Sequence, residues 1–176
     1  MDDTGCEIVL FDFRNPAVAC AWHTVNDTVM GGVSASTIEA TDNGTALFRG
    51  MVSLDNFGGF CSASSSGTGP YNLSNAEGIA VRVRGDGKQY KLLIKTDAGL
   101  NGFSYQFSFA TKQGAWMTVH APFQEFVARF RGAIVHGAPP LNRGHVVSLG
   151  FLIGERQEGP FALEIESIKA YGLKRG

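Results

Sequence analysis

The chain has no paired cysteine framework. Its three cysteines, Cys6, Cys20 and Cys61, are an odd number without paired spacing. That excludes a disulfide-stapled secreted scaffold and fits small buried thiols in a reducing compartment. Charge is scarce as well: charged residues make up 18%, and 15 basic against 16 acidic side chains leave a net charge of −1. Such a balance offers no field to gather nucleic acid or an anionic membrane surface. No apolar run approaches the roughly 18 residues that span a bilayer, so membrane association is expected through a partner and not by direct insertion. Residues 1–5 are acidic rather than arginine-rich, so no organellar transit peptide is expected in this form.

Catalytic signatures are missing too. There is no G-x-S-x-G elbow, no G-x-x-x-x-G-K-[ST] loop and no G-x-G-x-x-G fingerprint. The four histidines, His23, His120, His136 and His145, form no pair at metal-ligand spacing, and no cysteine lies near enough to complete a zinc set. No Asp-x-Asp cluster supports calcium. Glu164 and Glu166 share one face of a strand, where charge on the outer side is commoner than a general acid–base pair. No metal, no cofactor and no enzymatic reaction are expected.

What the chain does have is 44% hydrophobic residues and 23 glycines in 176 residues, a composition for one ordered domain with many turns. A single domain over residues 1–176 is expected, its core running from about 10 to 171. Ile79, Val81 and Val83 alternate with Ala80, Arg82 and Arg84, and Tyr90, Leu92 and Ile94 with Lys91, Leu93 and Lys95. With Gly85-Asp86-Gly87 between them, the two runs predict a β-hairpin. Tyr105, Phe107 and Phe109 mark a further strand, and others are expected over 7–13, 45–54, 59–64, 115–121, 146–153 and 161–171. In the last, Phe161, Leu163 and Ile165 are out of phase with Ile168 and Ala170, which predicts a bulge near Glu166-Ser167. Phe123, Phe126, Val127 and Phe130 have helical spacing and allow one short turn. These readings give an all-β, antiparallel β-sandwich of jelly-roll type with at most short helical turns.

Two groups of residues stand out as candidate sites. Trp22, Asn26, Asp27, Met30, Gly31, Gly32 and Ser34 sit within thirteen residues, a segment whose adjacent glycines and Asn-Asp pair imply a loop of fixed shape. Tyr90, Tyr105 and Trp116, with Phe103, fall on adjacent predicted strands. On an open concave face they would stack on a sugar ring; on a covered face they would be core, the commoner role of aromatic sheet residues.

The segment Trp22-x-x-Val25-Asn26-Asp27-x-Val29-Met30-Gly31-Gly32-x-Ser34 is followed in order by five more motifs. They are Phe57-Gly58-Gly59-Phe60, Arg84-Gly85-Asp86-Gly87-x-x-Tyr90, Pro122-Phe123-x-x-Phe126 with Phe130-Arg131-Gly132, Leu149 to Ile153, and Gly159-Pro160-Phe161-x-Leu163-Glu164-Ile165. Together, over about Leu10 to Tyr171, they resemble the CIA30 family, the complex I intermediate-associated protein 30 type domain. The resemblance implies a galactose-binding-domain-like sandwich close to some carbohydrate-binding modules. It also implies a non-enzymatic assembly factor or chaperone that binds subunits or intermediates of a multisubunit membrane redox or photosynthetic complex. Partners would be those subunits or other assembly factors, with no nucleic acid; carbohydrate is the alternative ligand. A lip of Trp22, Asn26, Asp27, Met30, Gly31, Gly32, Ser34, Phe57, Gly58 and Gly59 would make the contact, or the same residues would lock the sandwich. Without a presequence the setting is expected to be the cytoplasm of a bacterium or cyanobacterium; a removed presequence would make it mitochondrial or plastid.

Overall fold

Ile79, Val81 and Val83 are all buried, and so are Tyr90, Leu92 and Ile94. Alternation of this kind gives each strand one packed face, and two sheets with such faces stack over a shared core. A computed structural model describes residues 5–96 and 102–174. Along it run β1 (Ile8–Asp12), β2 (Trp22–Asn26), β3 (Ala35–Ala40), β4 (Ala46–Val52), β5 (Cys61–Ser65), β6 (Gly78–Arg84) and β7 (Gln89–Lys95). They are followed by β8 (Ser104–Ala110), β9 (Trp116–Pro122), β10 (Val127–Phe130), β11 (Ala133–Ile134), β12 (Ser148–Ile153) and β13 (Gly159–Tyr171).

One sheet has the order β3-β4-β13-β6-β9, with β1 also paired to β13; the other has the order β11-β10-β8-β7-β12-β5-β2. Every named pairing between strands is antiparallel. The result is the all-β sandwich of jelly-roll kind that the strand pattern implies, with helical structure among the described residues only as short 3-10 turns. Between the sheets, Trp22 sits in an aromatic nest, its ring 5.2 Å from Phe11, 5.7 Å from Phe13 and 6.0 Å from Phe151. Rings in edge and stacked contact bury large areas and add specific geometry.

The expected bulge in β13 is present: its pairing with β6 slips between Ile165 and Ser167. The extra residue lets Ile165 and Ile168 both face the core, where both are fully buried.

The predicted hairpin is absent. β6 lies in the six-stranded sheet and β7 in the seven-stranded one, so Gly85-Asp86-Gly87 carries the chain across the sandwich. Asp86 explains the course. Its Oδ1 accepts the Lys88 amide at 3.1 Å and the Tyr90 hydroxyl at 2.9 Å, while Oδ2 accepts the Ala162 amide of β13 at 2.9 Å. The aromatic run after Pro122 makes a 3-10 turn over Phe123–Glu125 and then the strand β10. Segments β2 and β3, which polar residues and glycines disguise, are strands too.

Candidate functional site

At the end of β2 the chain enters a 3-10 turn, Asp27–Met30, closed by Gly31 in the left-handed region at φ 88°. Asp27 is buried at 1% exposure. A carboxylate removed from water needs its oxygens filled, and here the surrounding chain fills them. Oδ1 accepts the Ser34 amide at 3.0 Å. Oδ2 accepts the Ser34 hydroxyl at 2.5 Å, the Gly59 amide at 2.6 Å and the Phe60 amide at 3.3 Å. The Asp27 amide in turn donates to the Phe60 carbonyl at 3.2 Å, and Ser34 Oγ accepts the Ser53 amide at 2.9 Å. Two loops far apart in sequence, 26–34 and 53–60, are thereby tied to one side chain.

The glycines follow from this tie. A Cβ on Gly32 would collide with the Asp27 carboxyl carbon, and one on Gly58 would stand 2.5 Å from Oδ2. Both positions need a residue without a side chain because the carboxylate fills the space. Burial pushes the Asp27 carboxyl upward, but the Ser34 hydroxyl and the amides of Gly59, Ser34 and Phe60 stabilise its charged form more, and the net shift is downward. With its lone pairs spent on the fold, Asp27 is a tie and not a base.

The tied segments also present apolar side chains to solvent. Phe57 is fully exposed, and Asn56 and Phe57 both hold positive φ, 54° and 62°. Such backbone in non-glycine residues persists only where its surroundings fix it. Val33 and Met51, on the segments flanking Ser34 and Ser53, are about half exposed.

Of the residues expected to form a lip, the structure brings together Asp27, Gly32, Ser34, Gly58 and Gly59 as the buried tie, with Gly31 capping its turn and Phe57 at its tip. Asn26 borders it, accepting the Ser36 hydroxyl on β3 at 2.6 Å. Trp22 is not part of a lip: it lies in the aromatic core, because β2 turns its even-numbered side inward and leaves His23 and Val25 exposed. The Met30 side chain lies outside the described residues. Phe60, from the motif that holds Phe57, completes the arrangement with Ser53, Val33 and Met51, which no sequence signal marks because pairing between distant loops leaves no periodic trace.

Tyr90, Tyr105 and Trp116 do not line one open face. Tyr90 and Tyr105 are buried between the sheets, Tyr105 donating its hydroxyl to the Pro139 carbonyl at 2.6 Å. Burial pushes the Tyr90 hydroxyl upward, with the Asp86 charge adding to it. Trp116 stands on β9 of the other sheet, partly exposed beside Arg82 and Arg84, whose guanidinium carbons are 5.7 and 5.4 Å from its ring centre. Among the described residues no group of three or more His, Cys, Asp and Glu side chains could hold a metal ion, and no helix is long and apolar enough to cross a membrane.

The model of the family described as Complex I intermediate-associated protein 30 (CIA30) matches residues 11–165, which take in both tied loops and most of the sandwich. The chain belongs to the CIA30 family. Similar CIA30 relatives include the Drosophila melanogaster protein named Complex I intermediate-associated protein 30, mitochondrial. It is 28% identical over 91% of this chain and 61% of its own length. The Mus musculus protein of that name is 26% identical over 93% of this chain and 56% of its own. The chain therefore spans a little over half the length of these two. An uncharacterized Schizosaccharomyces pombe protein is 30% identical over 85% of this chain and 79% of its own length.

Among solved structures, a family 11 carbohydrate-binding module of a Clostridium thermocellum cellulosomal cellulase superposes with TM-score 0.69 at 18% identity, covering 98% of both chains. A family 11 module from the same organism, in complex with a β-1,3-1,4-mixed-linked tetrasaccharide, superposes at 0.67 and 18% identity over 97% of this chain and 98% of its own. At that identity the likeness is one of fold, the two-sheet β-sandwich.

Proposed function

We propose that this CIA30 chain is a non-enzymatic assembly factor that binds subunits or intermediates of a complex I-type membrane NADH dehydrogenase. The names of the family and of its Drosophila and mouse relatives point to that complex. Those relatives are named as mitochondrial, which speaks for the mitochondrial rather than the cytoplasmic setting.

The observation that carries the contact surface is Phe57. A fully exposed phenylalanine on positive-φ backbone, held from beneath by a buried carboxylate, is prepaid in conformational entropy and ready to enter a pocket. Val33 and Met51 extend the apolar area. In this reading Asp27, Gly32, Ser34, Gly58 and Gly59 shape the tip without touching the client.

The carbohydrate reading in its original form loses its platform, since Tyr90 and Tyr105 are covered. A genetic test addresses the leading reading. Removing the gene from its native host should lower the amount of assembled NADH dehydrogenase on native gels. Wild-type protein should restore it, and Phe57→Asp, stably expressed, should restore less than a fifth as much. Full restoration by Phe57→Asp would remove Phe57 from the contact, and undiminished complex in the deletion strain would remove the assembly role.

A further inference from the structure

At the opposite end of β4 from Phe57, the bulge in β13 opens a depression of about 430 Å3 on the outer face of the six-stranded sheet. β4 joins β13 at Ala46–Ile165 and β1 leaves it at Asp12–Ser167, so Glu166 falls between the two pairings. Arg14, Thr45, Arg84, Trp116, Glu164 and Glu166 line the space. The turn between β3 and β4 closes it, Gly44 resting against Arg14.

Its charged groups are held in place. Buried Glu164 accepts the Thr45 hydroxyl at 2.7 Å on one oxygen and Arg84 Nε and Nη2 at 3.0 and 2.5 Å on the other. So fixed, the Arg84 guanidinium lies over the Trp116 ring with that of Arg82, and a ligand meets the part of the indole that the two leave open. Arg14 is gripped by Asp12, Nε to Oδ1 at 2.9 Å and Nη2 to Oδ2 at 2.7 Å. Each guanidinium keeps N–H donors beyond those its carboxylate takes. Among the described residues the Glu166 side chain makes no hydrogen bond, and a carboxylate there can only accept.

The chemistry of the occupant follows from that inventory. Arg14, Arg82 and Arg84 stand about the site with Asp12, Glu164 and Glu166, three charges of each sign, so it has no net charge to draw either an anion or a cation. Spare donors, a spare acceptor and an indole call for a neutral ligand whose groups both donate and accept and whose ring has an apolar face. We propose that this depression binds a ring of a neutral saccharide. It stands apart from the client contact at Phe57, and either site can hold if the other fails.

Isothermal titration of the protein with cellotetraose, maltotetraose and a panel of neutral glycans, and separately with sulfate and inorganic phosphate, tests this. The indole emission is a second readout, because the other tryptophan, Trp22, is buried. At least one neutral glycan should bind saturably and shift that emission. Trp116→Ala should weaken the binding at least tenfold and Glu166→Gln severalfold, each melting as the wild type does. Arg14→Ala, on an exposed side chain, repeats the test if Trp116→Ala melts early. No response to any neutral glycan, a response to phosphate or sulfate alone, or binding that survives the substitutions would overturn the proposal.

Discussion

A carboxylate withdrawn from water must be repaid in hydrogen bonds, and Asp27 is repaid entirely by neutral donors: among the described residues no Lys, Arg or His forms a salt bridge with it. Asp27→Ala strands the amides of Ser34, Gly59 and Phe60 and is expected to lose roughly 3 kcal/mol or more. In a domain of this size that lowers the melting temperature by about 6–12 °C, which calorimetry reads. Because the Asp27 carboxyl is held below its ordinary range, its contribution is present above the unfolded-state value of about 3.9. It disappears as pH falls through the lower folded-state value. The wild type should therefore lose more stability than Asp27→Asn does between pH 5 and about pH 2.5; equal losses would show that the carboxylate charge is not held.

Gly32→Ala should be destabilising in the wild type and much less so in an Asp27→Ala background, where the side chain it meets is gone. Strictly additive effects would contradict the packing. From sequence, the Gly-Gly pair and the Asn-Asp pair announced a loop of fixed shape. Which group the glycines accommodate was not legible, because Asp27 meets residues 32 and 33 positions away at Gly59 and Phe60. Of the three thiols expected to be buried, only Cys61 is; Cys6 and Cys20 are exposed, and burial pushes Cys61 up to about 11. Alkylation at pH 8 should modify exposed Cys6 and Cys20 and spare Cys61 until the protein unfolds.

Among the elements, β13 and the β6–β7 connection show what alternation encodes and what it omits. The phase change in β13 was readable because a bulge moves every later side chain to the other face. Deleting Glu166 should undo that shift, aim Ile168 and Ala170 outward, and break the register with β1 and β6. The expected outcome is loss of the cooperative melting transition; a folded deletion variant would deny the bulge its role. The β6–β7 hairpin failed because alternation reports which face is buried and says nothing about which strand lies alongside. Both strands bury their apolar side under either topology, and the choice rests with Asp86, whose bond to Ala162 links the turn to β13. Strands β2 and β3 escaped notice for a related reason. Asp27, Gly31 and Gly32 between them read as loop because they serve the tie and not the ladder.

At the scale of the molecule, the interior of the sandwich absorbs Trp22, Tyr90 and Tyr105, while Phe57 stays exposed at a loop tip and Trp116 lines the depression at the other end of β4. The family was visible in the order of six motifs, while the division between buried tie and exposed tip was not, since both lie within the same short strings of glycine and phenylalanine. The central claim is that a rigid base presents Phe57 to complex I subunits. Its most direct test is quantitative mass spectrometry of the proteins retained by tagged wild type and tagged Phe57→Asp from solubilised membranes of the native host, at matched expression and melting temperature. The account predicts that subunits of the NADH dehydrogenase are enriched on the wild type and fall at least tenfold on Phe57→Asp; equal enrichment on both, or none on either, would contradict it.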